Sequence, residues 1–223
     1  MKTEIFQFNG GEATVIIPDN PNGKWIWKTE FLYAFDWAEK ALVEEGYTRV
    51  YYQISDMYGS PKAIRLMRKF YHFVIDKYNL ESKCILFGFS RGGLYAFNFA
   101  LFYPEYVSKI YLDAPVLDVK SWPWDNSVEQ KQLFEEYELN AETLSTFQGD
   151  PINNLKEFFD LKIPLLIVAG GADEVVDFSK NSGRLIEYCK KYSIDITAIV
   201  KPDCKHHPHS LEAVAPIIHF IKN

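Results

Sequence analysis

The segment Gly88-Phe89-Ser90-Arg91-Gly92 sets one serine between two glycines, each two residues away. The apolar run Cys84-Ile85-Leu86-Phe87 before it reads as a buried strand. Gly93-Leu94-Tyr95-Ala96-Phe97-Asn98-Phe99-Ala100 after it reads as a helix with a small-residue face. A serine at such a strand-to-helix turn is a nucleophile elbow. The glycines have a steric reason, because a β-carbon at either flanking position would meet the neighbouring strand or helix. The tight turn lifts the hydroxyl clear of the sheet. It also leaves the helix N-terminus, with its free N–H groups and positive dipole end, beside the reacting oxygen. The chemistry this predicts is attack on a carbonyl, which requires a base to take the serine proton and an acid to orient that base.

In open parallel sheets, ligands bind outside the carboxyl ends of the strands, so the partners are sought just past each strand. After Ile167-Val168-Ala169 comes Gly170-Gly171-Ala172-Asp173-Glu174-Val175-Val176-Asp177. Asp173 is the earlier acid in this turn, with Val175 and Val176 available to pack beneath it, and it is the expected orienting carboxylate. Glu174 and Asp177 are the surface or fallback acids. After Ile199-Val200-Lys201 comes Pro202-Asp203-Cys204-Lys205-His206-His207-Pro208-His209, which holds three of the five histidines. A histidine in this loop can reach between Ser90 and Asp173, giving its Nδ1–H to the carboxylate and leaving Nε2 for the serine proton. His206 is favoured over His207, which precedes a proline and is held extended. His209 is expected to begin a helix or to shape the site.

The developing oxyanion needs two N–H donors. Arg91, directly after the serine, offers one from its backbone. The second is sought in the loop of residues 18–28, at Trp27 or a direct neighbour. Trp25 and Trp27 serve there either as a hydrophobic clamp on the loop or as substrate contacts, and Trp25, Trp122, Trp124 and His207 are the expected substrate-binding side chains. A competing reading is a zinc site, since Cys204, His206, His207 and His209 are zinc-type ligands within six residues. Adjacent ligands rarely converge on one ion without a helix or hairpin to direct them, and no second cluster completes a tetrahedral set. The expected site therefore has no metal and no cofactor.

Strands alternating with helical patterns must position these residues. Residues 5–8 and 13–17 read as a hairpin about Asn9-Gly10-Gly11. Residues 30–45 read as a helix ended by Gly46, 49–54 as a strand, and 61–78 as a long helix with proline in its first turn. The elbow strand covers 83–87, the elbow helix 91–102 and the next strand 109–112. Residues 116–160 break the rhythm and read as a lid or cap over the strand ends, with a charged helical stretch near 128–139. The alternation resumes with a strand at 164–169, a helix at 179–192, a strand at 196–200 and a last helix at 210–221. This is an α/β pattern with a mostly parallel sheet covered on both faces, in one domain spanning residues 1–223.

Composition agrees with such a domain. Of 223 residues, 48% are hydrophobic and 24% charged, and the net charge of −6 argues against nucleic acid or an anionic membrane as partner. The aromatic share of 16% fits a thick core or a site that stacks on flat or sugar-like ligands. Three cysteines, Cys84, Cys189 and Cys204, predict no structural disulfide and a reducing compartment. The N-terminal residues lack the apolar stretch of a secretion signal, and no run approaches membrane-span length, so a cytoplasmic protein is expected.

The order Ser90, Asp173, His206 is that of the α/β-hydrolase triad. Over nearly its whole length the chain resembles the α/β-hydrolases. More narrowly, it is similar to a bacterial α/β-hydrolase-fold group found near carbohydrate-processing enzymes, some members of which are fused to sialidase or SGNH-type esterase modules. The resemblance is carried by Gly23-Lys24-Trp25-Ile26-Trp27-Lys28, Tyr58-Gly59-Ser60-Pro61, Phe89-Ser90-Arg91-Gly92-Gly93-Leu94, Asp113-Ala114-Pro115 and His206-His207-Pro208-His209-Ser210-Leu211. Two positions depart from the group's pattern: Lys28 stands in place of arginine, and Asp203-Cys204-Lys205 replaces a more glycine-rich turn. The resemblance implies an α/β-hydrolase fold with a small helical lid and a serine hydrolase with Ser90, Asp173 and His206 as its triad. The expected substrate is a small-molecule ester, with an acylated carbohydrate among the candidates. A hydrolase-fold protein that only binds its ligand, or a peptidase, is the alternative.

Overall fold

The computed structural model describes residues 1–223. Eight strands form one sheet: β1 (Lys2–Phe8), β2 (Gly11–Ile17), β3 (Trp25–Lys28), β4 (Thr48–Gln53), β5 (Cys84–Phe89), β6 (Val107–Asp113), β7 (Leu165–Gly170) and β8 (Thr197–Lys201). Their order is β1-β2-β4-β3-β5-β6-β7-β8. The first two pairings, β1 with β2 and β2 with β4, are antiparallel, and the rest are parallel.

Strand alternation sorts side chains between two cores. Trp25, Trp27, Cys84, Leu86, Ile110, Leu112, Leu165 and Ile167 face the larger one. Helices α2 (Pro61–Tyr78), α3 (Gly92–Phe102), α6 (Leu155–Asp160) and α7 (Ser182–Tyr192) pack there. Ile26, Ile85, Phe87, Phe89, Tyr111, Leu166 and Val168 face the other, beneath α1 (Trp37–Glu44) and α8 (Ala215–Lys222). Helix α3 is buried on all sides from Gly92 to Ala100, as an elbow helix sandwiched between the sheet and its neighbours must be.

The structure departs from the sequence expectation in two informative places. Residues 25–28, expected in a loop, form β3 in the middle of the sheet, paired with β4 on one side and β5 on the other. All four are buried, so the polar–apolar alternation that betrays a strand is missing. Residues 30–36, expected to be helical, are turns that contain Phe31 and Phe35 at φ +56° and +50°, and the helix begins only at Trp37. Left-handed residues cannot continue a right-handed helix.

Between β6 and β7 the chain forms α4 (Val128–Tyr137), α5 (Ala141–Thr146) and α6. Its apolar residues divide between two clusters. Leu117, Ile152, Leu155 and Phe158 join the main core, whereas Val119 and Leu133 pack with Tyr58, Leu94 and Val176 in a separate small cluster. No helix is long and apolar enough to cross a membrane.

Asp150, within this stretch, is fully buried. Its Oδ1 accepts from the Asn153 amide, and its Oδ2 has no partner. Burial, and then the Asp118 carboxylate, push its carboxyl up to about 6. A raised carboxyl holds its proton more tightly when folded. The folded state therefore loses stability as pH rises from the ordinary carboxyl range through about 6, and the loss is complete above that. Asp150→Asn is expected to stabilise the protein by roughly 1–3 kcal/mol near pH 7.5, a gain that shrinks toward zero near pH 4. Urea unfolding at the two pH values checks this, and an equal effect at both would refute it.

Candidate active site

Ser90 follows β5 directly, at φ +50°. Its N–H donates to the Asp113 carbonyl at 2.9 Å, and its carbonyl accepts from the Gly93 and Val116 N–H groups at 2.9 Å each. These bonds hold a non-glycine residue in the left-handed region, a conformation that costs free energy and persists only where its surroundings enforce it. The flanking glycines have the predicted reason. A β-carbon on Gly88 would come within 2.9 Å of both the Ala96 methyl and the Gly92 carbonyl, and one on Gly92 within 2.8 Å of Thr29 Oγ1.

The structure brings together the three residues expected from the sequence. His206 Nε2 is 3.1 Å from Ser90 Oγ, and His206 Nδ1 is 2.7 Å from Asp173 Oδ2. The carboxylate can only accept, so Nδ1 carries the hydrogen and Nε2 is left to accept from the serine hydroxyl. All three side chains are buried. Asp173 is held by the Val175 and Val176 N–H groups, which donate to its Oδ1 at 2.9 and 3.0 Å. Val176 alone packs beneath the turn, while Val175 stays partly in solvent. Glu174 is exposed, and Asp177 is engaged by Ser179.

Two assignments require correction. Trp27 cannot serve as an oxyanion donor, because it sits inside β3 with strands hydrogen-bonded on both sides. Its ring stacks on Trp25 in the main core at 5.7 Å. Trp25 cannot touch substrate either: it is fully buried and donates its indole N–H to the Glu81 carbonyl at 2.8 Å. The loop that can supply a donor begins at Thr29, directly after β3. The N–H groups of Arg91 and Phe31 donate to no other group of the chain, and Phe31 lines a cavity beside Ser90. That loop is tied to the elbow. Thr29 Oγ1 donates to the Phe87 and Gly92 carbonyls at 3.1 and 2.8 Å, and Arg91 Nε donates to the buried Glu30 carboxylate at 3.2 Å. Burial lifts the Glu30 carboxyl above its ordinary range, with the Arg91 guanidinium acting against it.

The cavity measures about 180 Å³ and is lined by Ser90, His206, Phe31, Phe35, Phe89, His207 and His209. His207, expected from the sequence as a substrate contact, is one of these lining residues. Its imidazole is pushed below the ordinary histidine range by burial and by the His209 and His206 rings. Trp122 and Trp124 do not line this cavity. Trp122 is half-buried with its ring 6.1 Å from that of Tyr58, and Trp124 is exposed.

Sequence reasoning missed a second acid–imidazole pair. Asp113, at the end of β6, accepts from His209 Nδ1 at 2.8 Å, from the Ser210 N–H at 2.7 Å and from the Tyr111 hydroxyl at 2.5 Å. The available signal was an acid at a strand end together with a third histidine in the base-bearing loop. Missed as well was the buried charge cluster under β3. Lys28 pairs with Glu39, and Arg49 with Asp36 at 2.9 Å, while Lys28 Nζ lies 3.2 Å from the centre of the Phe89 ring. The three cysteines are free.

None of the curated proteins compared with the chain matches it. Among solved structures, a puromycin-hydrolyzing peptidase of Mycobacterium tuberculosis superposes with a TM-score of 0.70 at 11% identity, over 98% of this chain and 37% of that one. Dipeptidyl peptidase 4 of Porphyromonas gingivalis gives 0.69 at 15% identity, over 100% and 35%. The chain thus spans little more than a third of the length of these structures, and the likeness is one of fold. Residues 12–148 match the alpha/beta hydrolase fold family, and with the sheet order and elbow described above the chain belongs to that family.

Proposed function

We propose that the protein is a serine hydrolase, a carboxylesterase acting on small-molecule esters through an acyl-enzyme. The observation that carries the proposal is the hydrogen-bonded line Ser90 Oγ, His206, Asp173, with bonds of 3.1 and 2.7 Å. His206 Nε2 takes the Ser90 proton as Oγ attacks the ester carbonyl. Asp173 fixes the tautomer and stabilises the imidazolium that forms. The N–H groups of Arg91 and Phe31 receive the oxyanion. His206 then gives its proton to the departing alcohol, and water, deprotonated by the same nitrogen, releases the acid. None of these steps calls on a cofactor. The cavity of about 180 Å³, walled by phenylalanine and histidine rings, suits a compact group. On an order-of-magnitude scale, an apolar cavity of ~150 Å³ holds one benzene ring.

A peptidase is the second reading, favoured by the names of the structural neighbours. Turnover of p-nitrophenyl acetate, butyrate and octanoate, measured beside that of an alanyl p-nitroanilide, separates the two. The expected result is ester turnover that declines at octanoate, with little amide cleavage. A kcat/KM for the anilide equal to the best ester overturns the esterase reading. Absence of all turnover, with no labelling by a fluorophosphonate, leaves a ligand-binding protein.

A further inference from the structure

We propose that His206, His207 and His209 form an inhibitory binding site for a zinc-class divalent cation, at which the metal occupies the imidazole nitrogen that accepts the Ser90 proton. The three rings form a near-equilateral triangle, with centroids 4.8, 4.8 and 4.9 Å apart and mutual tilts of 67°, 80° and 89°. One ring nitrogen from each lies within 4.8 Å of those of the other two.

Two of the rings are anchored in the way metal-ligating histidines are. His206 and His209 each use Nδ1 on a buried carboxylate, Asp173 at 2.7 Å and Asp113 at 2.8 Å. Such carboxylate–imidazole pairs fix ring orientation and make the opposite nitrogen a better ligand. For His206 that opposite nitrogen meets Ser90, and for His209 it has no hydrogen-bond partner, although the side chain is buried and lines the cavity. The triad gives the His209–Asp113 pair no task.

His207 completes the set. Neither of its ring nitrogens is hydrogen-bonded, and its ring is held mainly by stacking on Phe35 at 5.6 Å. With zinc–nitrogen bonds of ~2.0–2.1 Å, tetrahedral ligands sit ~3.4 Å apart, so the nitrogens must close by roughly 1.5 Å. His207, the exposed member, is free to swing inward, while His206 and His209 close on each other by small ring shifts about their Nδ1–carboxylate bonds. A water or the Ser90 oxygen takes the fourth position. Imidazole ligands select zinc, copper or nickel over magnesium and calcium. Cys204 is not a ligand, because its sulfur lies against the His207 and Pro208 carbonyls at 3.6 and 3.9 Å. The site is reversible, since no covalent bond to the protein changes.

Calorimetric titration of zinc chloride into the full chain tests this, with magnesium chloride as control. One zinc per chain and no magnesium are expected, and His207→Ala or His209→Gln should each weaken zinc binding by about tenfold or more. Should His209→Gln fail to fold, as judged by circular dichroism, His207→Ala alone decides. Zinc is also expected to slow fluorophosphonate labelling of wild-type Ser90, with EDTA restoring the rate. Absence of stoichiometric zinc binding, or binding undiminished in the folded variants, overturns the proposal. Binding and labelling are separate readouts, so a failure of the serine mechanism shows in labelling without metal and leaves the titration intact.

Discussion

Ser90→Ala is expected to lower kcat/KM for p-nitrophenyl esters by roughly 10³–10⁶-fold, the range seen when a triad nucleophile is removed and only oxyanion donors and binding remain. Fold and stability should be nearly unchanged. The hydroxyl's one hydrogen bond is to His206, and the strained backbone at φ +50° is held by main-chain bonds that alanine keeps. Fluorophosphonate labelling should vanish. His206→Ala should cost a similar factor, and the double variant should be little worse than either single one, because the two residues act as one unit. Independent, multiplying losses in the double variant would show that Ser90 and His206 do not share a proton. A Ser90→Ala protein with undiminished turnover would move the nucleophile elsewhere.

The elbow and the two loops that feed it were legible because each is punctuated. Glycines frame Ser90, Gly170 and Gly171 announce the Asp173 turn, and a histidine cluster follows a strand. These local signals survive without knowledge of tertiary contacts. The long helix α2 was readable end to end for the same reason, with Pro61 in its first turn, and the structure adds Ser60 as its cap. Residues 25–36 were not legible, because their conformation is set by what surrounds them. Trp25 to Lys28 is a strand only because β4 and β5 flank it. The next segment turns at Phe31 and Phe35 because Thr29 and Glu30 are tied to the elbow. A sequence pattern carries no record of those bonds. The two tryptophans are attractive as substrate contacts when read alone, yet they serve as core filling. The loop proposed to supply the second oxyanion donor starts just beyond them, after β3. His209 shows the opposite case: its role depends on Asp113, 96 residues earlier, and only the fold brings the two within 2.8 Å.

Lys28 links that unreadable segment to stability. It is fully buried on the α1/α8 side of the sheet, pairs with the equally buried Glu39, and sits over the Phe89 ring. Burial pulls its ammonium below the ordinary lysine range, and Glu39 acts to keep it charged. Removing one member of a buried pair strands the other charge, which typically costs about 3–5 kcal/mol. Lys28→Ala is therefore expected to destabilise by that amount. For a chain of this length it should lower Tm by roughly 6–20 °C, at ~2–4 °C per kcal/mol. Arg49, with a guanidinium nitrogen 4.0 Å from Glu39, can relieve part of the loss and sets the lower end. Replacing both partners with methionine should recover most of the stability, since apolar packing can substitute for a buried pair. The activity should not recover with it. Lys28 Nζ also donates to the Ala34 carbonyl at 3.4 Å, in the turn between Phe31 and Phe35. Without that tie the turn carrying Phe31, whose N–H is the proposed second oxyanion donor, is less well fixed beside the Ser90 cavity. The double variant should thus be stable yet lower in kcat by about tenfold, below the ~10²–10³ loss for deleting an oxyanion donor outright. A double variant with full activity would show that the Ala34 contact has no part in placing the donor. A Lys28→Ala protein within ~1 kcal/mol of wild type would show that Arg49 and solvent compensate Glu39 almost completely.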